Sequence, residues 1–296
     1  MAAAQTTPYP SFWRNVGSRP APRRPGVVAD LDWPPGERPL RLVVVGKGGA
    51  GKSVIAGTMA RILARRGRKV LALDTDTLPG LALSLGAKSD ETPPLVSAVE
   101  KVGGGCWRLK KGIGPVRAVQ RFSTEAPDGV RVLELGDQAP GGDPPLTPSV
   151  HAFYQVVHAL PEAMALKDWT MVGDHPAGPR QTAHDWAPYA DTLLVVTEPS
   201  WKSALTARQV AEIGGARDAA VLPIASKVTD RSDVTLVEEI LGRPVAAEVP
   251  ADEAVAASDR RGAALIDYAP EAPAVKAIES LVDRLVEGTM KGMVSR

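Results

Sequence analysis

The chain lacks most of what braces small secreted proteins. Its 296 residues include a single cysteine, Cys106. No disulfide can close within the chain, and a reducing compartment is expected. Aromatic side chains make up only 4%, so the core must be filled by Val, Leu, Ile and Ala. No apolar run approaches the ~20 residues that cross a bilayer. Pro8, Pro10, Arg14 and Asn15 interrupt any signal-peptide core, and the expectation is a soluble cytoplasmic protein. Net charge is +1, which argues against polyanion binding by bulk charge while leaving room for a local basic face. His151, His158, His175 and His184 show no paired spacing on one helix. No Ser/His/Asp hydrolase signature or nucleic-acid module is recognisable.

What is present is aliphatic. Hydrophobic residues reach 44%, a composition that suits a parallel sheet covered by helices on both faces. Residues 1–40 stand apart, with Pro8, Pro10, Pro20, Pro22, Pro25, Pro34, Pro35 and Pro39 interleaved with Arg14, Arg19, Arg23 and Arg24. Such a stretch sustains neither a helix nor an interior strand. It reads as an extended arm whose one aromatic cluster is Tyr9-Pro10-Ser11-Phe12-Trp13. From residue 41 to the end, β-branched runs alternate with helical patterns. Strands are expected at 41–45, 69–73, 130–135, 169–172, 192–197, 221–225 and 245–249. Helices are expected at 52–66 and near 149–160, 202–213, 232–241, 252–260 and 272–287. This alternation predicts one doubly wound α/β domain over 41–296 with a mostly parallel sheet. The Gly- and Pro-rich stretch from 103 to 148 gives no clear pattern.

The octapeptide Gly46-Lys47-Gly48-Gly49-Ala50-Gly51-Lys52-Ser53 satisfies the phosphate-loop pattern G-x-x-x-x-G-K-[ST]. It follows a β-run and opens a helix, the context the chemistry requires. Glycines let backbone N–H groups converge on phosphate oxygens, and the helix presents its positive end to the same anion. The cradle comprises Gly48, Gly49, Ala50, Gly51, Lys52, Ser53 and Val54. Lys52 is placed to reach the β- and γ-phosphates of ATP, and Ser53 to ligate Mg²⁺. Asp74, Asp76 and Asp174 all close expected strands and should share one sheet edge, where ligands of doubly wound folds bind. Capping of a following helix is the other use of such aspartates.

With Lys47 directly after the first glycine, the loop resembles the deviant Walker A motif of the MinD/ParA superfamily, which includes CooC-type maturation ATPases. Asp74-Thr75-Asp76 looks like the family's Asp-x-Asp, although Thr77 stands where proline is common. Asp174-His175-Pro176-Ala177-Gly178 is similar to its Asp-x-x-Ala-Gly Walker B element. The resemblance implies a homodimer clasping two ATP·Mg²⁺, with Lys47 crossing to the partner's nucleotide. It also implies that Asp76 orients the attacking water and touches Mg²⁺, that Asp174 holds Mg²⁺, and that Gly178 approaches the γ-phosphate. Ser226 and Lys227 stand where the family has Asn-Lys or Asn-Arg beside the base, and Pro250 and Asp252 lie in the loop that covers it. Ser226 lacks an amide's paired donor and acceptor, which weakens the expectation for base selectivity. The expected function is a nucleotide switch that regulates or positions a protein client. The alternative is an ATPase chaperone for metallocentre insertion.

Three further features carry a bland and a functional reading. Cys106 is one thiol where a closed soft-metal site needs about four ligands, and reads as a buried or incidental cysteine. Arg61, Arg65, Arg66, Arg68 and Lys69 cluster at the end of the first helix. They read as a solvated face complementing the helix dipole, with weak sequence-independent DNA contact as the alternative. The final helix carries Val275, Ile278, Val282, Leu285 and Val286 as a core stripe. Stable membrane anchoring by its short tail is not expected.

Overall fold

The computed structural model describes residues 39–291 except 78–79, 89–91, 93, 104–105, 137–145 and 218. Residues 1–38 of the expected arm lie outside the described residues. In chain order the elements are β1 (Arg41–Gly46), α1 (Lys52–Arg65), β2 (Val70–Asp74), α2 (Gly80–Leu85), β3 (Val99–Lys101), β4 (Trp107–Leu109), α3 (Pro115–Phe122), β5 (Thr124–Glu125), β6 (Arg131–Glu134) and α4 (Leu146–Ala159). There follow β7 (Thr170–Asp174), α5 (Arg180–Ala183), β8 (Thr192–Thr197), α6 (Trp201–Gly215), β9 (Ala220–Val228), α7 (Arg231–Leu241), β10 (Ala247–Pro250), α8 (Glu253–Asp259), α9 (Leu265–Tyr268) and α10 (Pro273–Lys291).

Eight strands form one sheet in the order β10-β9-β8-β1-β7-β2-β6-β5. All neighbours are parallel except the short edge strand β5, which pairs antiparallel with β6. The expected mostly parallel, doubly wound α/β sheet is what the chain forms. Alternation along each strand sends side chains to opposite faces. Leu42, Val44, Ala72, Val172 and Leu194 pack in one buried cluster with residues of α1, α9 and α10, including Ile55, Leu265 and Ile278. On the other face Val43, Val45 and Leu193 meet Ala207 and Val210 of α6. Leu71, Leu73 and Leu133 meet Phe153 and Val157 of α4, with Val119 of α3. The aliphatic composition is thus spent on a sheet buried from both sides.

Within 103–148, where the sequence pattern was silent, lie β4 of a small antiparallel hairpin with β3, then α3 and β5. These elements are two to eight residues long. They are too short for a period of 2 or 3.6 to declare itself.

Register fixes the site. Val44 lies opposite Asp174 in β1–β7, and Asp74 lies opposite Asp174 in β2–β7. β1 sits between β8 and β7, so the loop leaving it emerges at the strand ends carrying these aspartates.

Candidate nucleotide site

The loop between β1 and α1 is shaped by three glycines of positive φ, Gly46, Gly49 and Gly51. Gly46 has φ 150°, and a side chain there would collide with the carbonyl of Val196 on the adjacent strand. Gly51 precedes α1 at φ 91° in the left-handed region. The helix has no side-chain cap and no acidic residue in its first turn, so its N-terminal donors and positive end are left for an anion.

Lys52 is buried and donates from Nζ to the Lys47 carbonyl at 3.2 Å. Burial depresses its pKa, while Asp174 and Asp76 favour the charged form. The ammonium therefore folds over its own loop beside two carboxylates. Asp174 is buried, and burial raises its pKa to about 6 against the opposing effects of the Ser53 hydroxyl and Lys52. Its Oδ1 is buried with no hydrogen-bond partner. A serine hydroxyl on a carboxylate whose other oxygen is orphaned is a hard-oxygen donor set, and it fits Mg²⁺. Among the described residues no group of three His, Cys, Asp or Glu could hold a metal ion. A bound Mg²⁺ would thus lean on Ser53, Asp174, water and phosphate oxygens.

The two aspartates ending β2 differ in use. Asp74 is buried, accepting from the Asp76 N–H at 3.0 Å and from the Leu81 N–H at 3.1 Å in the first turn of α2. Burial and the neighbouring Asp174 push its pKa well up. It is the strand-end cap that the sequence left open as an alternative. Asp76 accepts from the Thr77 N–H at 2.7 Å. It also lines a cavity of about 790 Å³ shared with Thr77, Leu135, Arg180, His184 and Trp186. In the Walker B segment the His175 and Gly178 N–H groups bond to the carbonyls of Val44 and Gly46, both at 3.0 Å. Gly178 is left-handed, φ 93°, with open space where a side chain would stand. His175 is wholly buried, its pKa depressed by burial to about 3.

On the other flank Ser226 is buried, and its Oγ lies 3.3 Å from where a Cβ on Gly51 would sit. It packs under the phosphate loop. Asp252 caps α8 through the Ala254 N–H at 2.9 Å and also receives the Ala274 N–H of α10 at 3.0 Å, clasping two helices beside Pro250. Lys227 has φ 58° and reaches Glu198 at 3.5 Å. Lys47 turns out of its own loop and pairs with Glu198 Oε1 at 2.7 Å. Sequence reasoning passed through Glu198 without giving it a role. The signal was a carboxylate at the end of β8 on the ligand edge.

Over residues 42–266 the sequence matches the family described as CobQ/CobB/MinD/ParA nucleotide binding domain. The chain belongs to this family. To the carbon monoxide dehydrogenase accessory protein CooC of Rhodospirillum rubrum it is 26% identical over 246 residues, covering 78% of this chain and 91% of that protein. Its fold is similar to the cell division ATPase MinD of Pyrococcus furiosus, with TM-score 0.63 and 23% identity across 83% of this chain and 98% of that one. It is also similar to MinD of Pyrococcus horikoshii complexed with Mg-ADP, with TM-score 0.65 and 18% identity across 86% of this chain and 98% of that one. The chain is thus an ATP-binding P-loop ATPase of the MinD/ParA type.

Two expectations are narrowed. The basic cluster is a solvated face except at Arg61, since Arg65, Arg66 and Lys69 are exposed and Arg68 is half-buried. Arg61 is buried, held by Asp128 at 2.5 Å and Asp267 at 2.8 Å, while Arg66 pairs with Asp283 at 2.7 Å. Aspartates distant in sequence pair with Arg61, Arg65 and Arg66, and one-dimensional reading could not see them. Cys106 is exposed, which leaves the incidental thiol of the two bland readings. Among the described residues no helix is long and apolar enough to cross a membrane.

Proposed function

We propose that two copies of this chain associate face to face around two ATP molecules, and that hydrolysis separates them, driving a protein client. The observation carrying this reading is the division of labour between two lysines. Lys52 lies over its own phosphate loop, whereas Lys47, one position past the first glycine, points away from that loop toward Glu198. A lysine that its own cradle does not use is available to a partner's. In this reading Lys52 and the partner's copy of Lys47 neutralise charge developing on the transferred phosphoryl group, and Asp76 orients water. Ser53 and Asp174 hold Mg²⁺, which supplies charge neutralisation at the phosphate oxygens. Gly48–Val54 and Gly178 cradle the phosphates, while Ser226, Lys227, Pro250 and Asp252 flank the base.

A protein client is favoured over DNA because Arg61, Arg65 and Arg66 at the end of α1 are drawn into ion pairs. Residues 1–40 are proposed to recruit that client, since Trp and Arg dominate binding hot spots. The test is a pull-down with the Asp76→Ala chain in ATP, with and without residues 1–40. Recovery of a specific protein only from the full chain supports recruitment. Equal recovery assigns binding to 41–296.

Likeness to CooC across 91% of that protein favours one second reading, delivery of a metal to a client enzyme. Metal in the purified dimer, lost in Cys106→Ser, would support it.

A further inference from the structure

Glu198 stands between two lysines of neighbouring strands. It follows β8, the middle strand of the trio β9-β8-β1. Lys47 follows β1 and lies 2.7 Å from Oε1, whereas Lys227, next to last in β9, lies 3.5 Å from Oε2. The backbone that carries the carboxylate is fixed from behind. The Glu198 N–H donates to Ser203 Oγ at 3.1 Å, and that serine is buried in the first turn of α6. Lys47, foremost, and then Lys227 hold the Glu198 carboxyl below the usual range. One carboxylate thus serves two ammonium groups, one on each oxygen. The trio carries one excess positive charge, and loss of either lysine leaves a neutral pair. A carboxylate so placed can release one cation without being left uncompensated, which is the costly outcome for a partly buried charge.

We propose that Glu198 is a positioning residue that parks Lys47 on its own subunit and releases it to the partner's nucleotide, with Lys227 retaining the carboxylate. The proposal rests on the trans role of Lys47 given above. Dimerisation is then gated by two opposing side chains. Glu198 holds Lys47 back, and Lys227 eases its departure. A merely structural role for the trio would make loss of either residue act in the same direction.

The test is sedimentation of the full chain with Mg²⁺ and adenylyl-imidodiphosphate, a non-hydrolysable ATP analogue. Saturation of each variant is checked with a fluorescent ATP analogue. Glu198→Gln should lower the protein concentration for half-dimerisation about threefold, the scale of a partly exposed ion pair. Lys227→Met should raise it by about the same factor. The double variant should behave like Glu198→Gln, because no carboxylate remains to be stranded, and Glu198→Asp should fall nearer wild type. Shifts of the same sign for Glu198→Gln and Lys227→Met overturn the proposal, as does no shift in either. Lys47→Ala separates the two layers. If it fails to dimerise, the trans reading stands and the other variants judge Glu198. If it dimerises as wild type does, the trans reading fails and takes the proposal with it.

Discussion

Arg61→Met removes a guanidinium that ties four parts of the chain together. Arg61 lies on α1, the helix that carries the phosphate loop. It donates to Asp128 at 2.5 Å, to the Leu85 carbonyl at 2.7 Å, and to both oxygens of Asp267 at 2.9 and 2.8 Å. Methionine keeps much of the stem's packing while deleting every donor. Asp128 and Asp267 are not stranded, because Arg65 remains within 2.8 and 3.1 Å of them and their side chains are 26% and 44% exposed. The ion pairs are therefore discounted to about 1–2 kcal/mol. The Leu85 carbonyl loses its charged donor, a further ~1–2 kcal/mol. The sum is about 3 kcal/mol, and at ~2–4 °C per kcal/mol for a domain of this size the melting temperature should fall about 6–12 °C. The pH dependence follows from Asp128, whose pKa is lowered by the hydrogen bonds and charges of Arg61 and Arg65 against burial. A depressed carboxylate contributes stability above its unfolded pKa of about 3.8, and that contribution is lost as pH falls through the folded value. Scanning calorimetry from neutral pH down to about pH 3 should show the gap between wild type and Arg61→Met narrowing on acidification. A gap below about 2 °C at neutral pH, or one that widens in acid, would refute the reasoning.

Three predictions concern the phosphate site and its flank. Lys52→Ala should abolish ATP binding in calorimetric titration, since the phosphates lose the ammonium that lies over the loop; wild-type affinity would remove the central assignment. Asp76→Ala should keep ATP and lose nearly all turnover. Asp74→Asn should instead lower the melting temperature, because Asp74 accepts two backbone N–H groups as a cap. Turnover of Asp76→Ala equal to wild type would place the water-orienting group elsewhere.

Much of the fold was legible because its main strands are buried aliphatic runs, three of which (β1, β2 and β7) end in Gly or Asp. Arg41–Val45, Thr192–Thr197 and the helix starting at Lys52 were placed within a residue or two. Local pattern suffices where an element is long and buried. The phosphate loop was legible because its chemistry is contiguous, eight residues from Gly46 to Ser53. Pairings between distant residues were not. Glu198 reaches Lys47 across 151 positions through the sheet order, and Arg61 reaches Asp267 across 206 through the packing of α1 on α9. Only the family resemblance, and no local pattern, told Asp74 from Asp76 in sequence. They differ because one carboxylate turns back to cap α2 and the other lines the cavity next to β2. The hairpin of β3 and β4 escaped for lack of length.

The most direct test of the ATP sandwich is a mixing experiment in which turnover of Lys47→Ala and Asp76→Ala chains is measured alone and together. Each variant alone should be nearly inactive. In a mixed dimer, the site on the Lys47→Ala chain keeps its own Asp76 and receives an intact Lys47 from its partner. Random assortment of a symmetric dimer makes half of the molecules mixed, each with one complete site, so an equimolar mixture should recover up to about a quarter of wild-type turnover. If Lys47 acts only within its own chain, no mixed site is complete and the mixture stays as inactive as its components; that result would contradict the account.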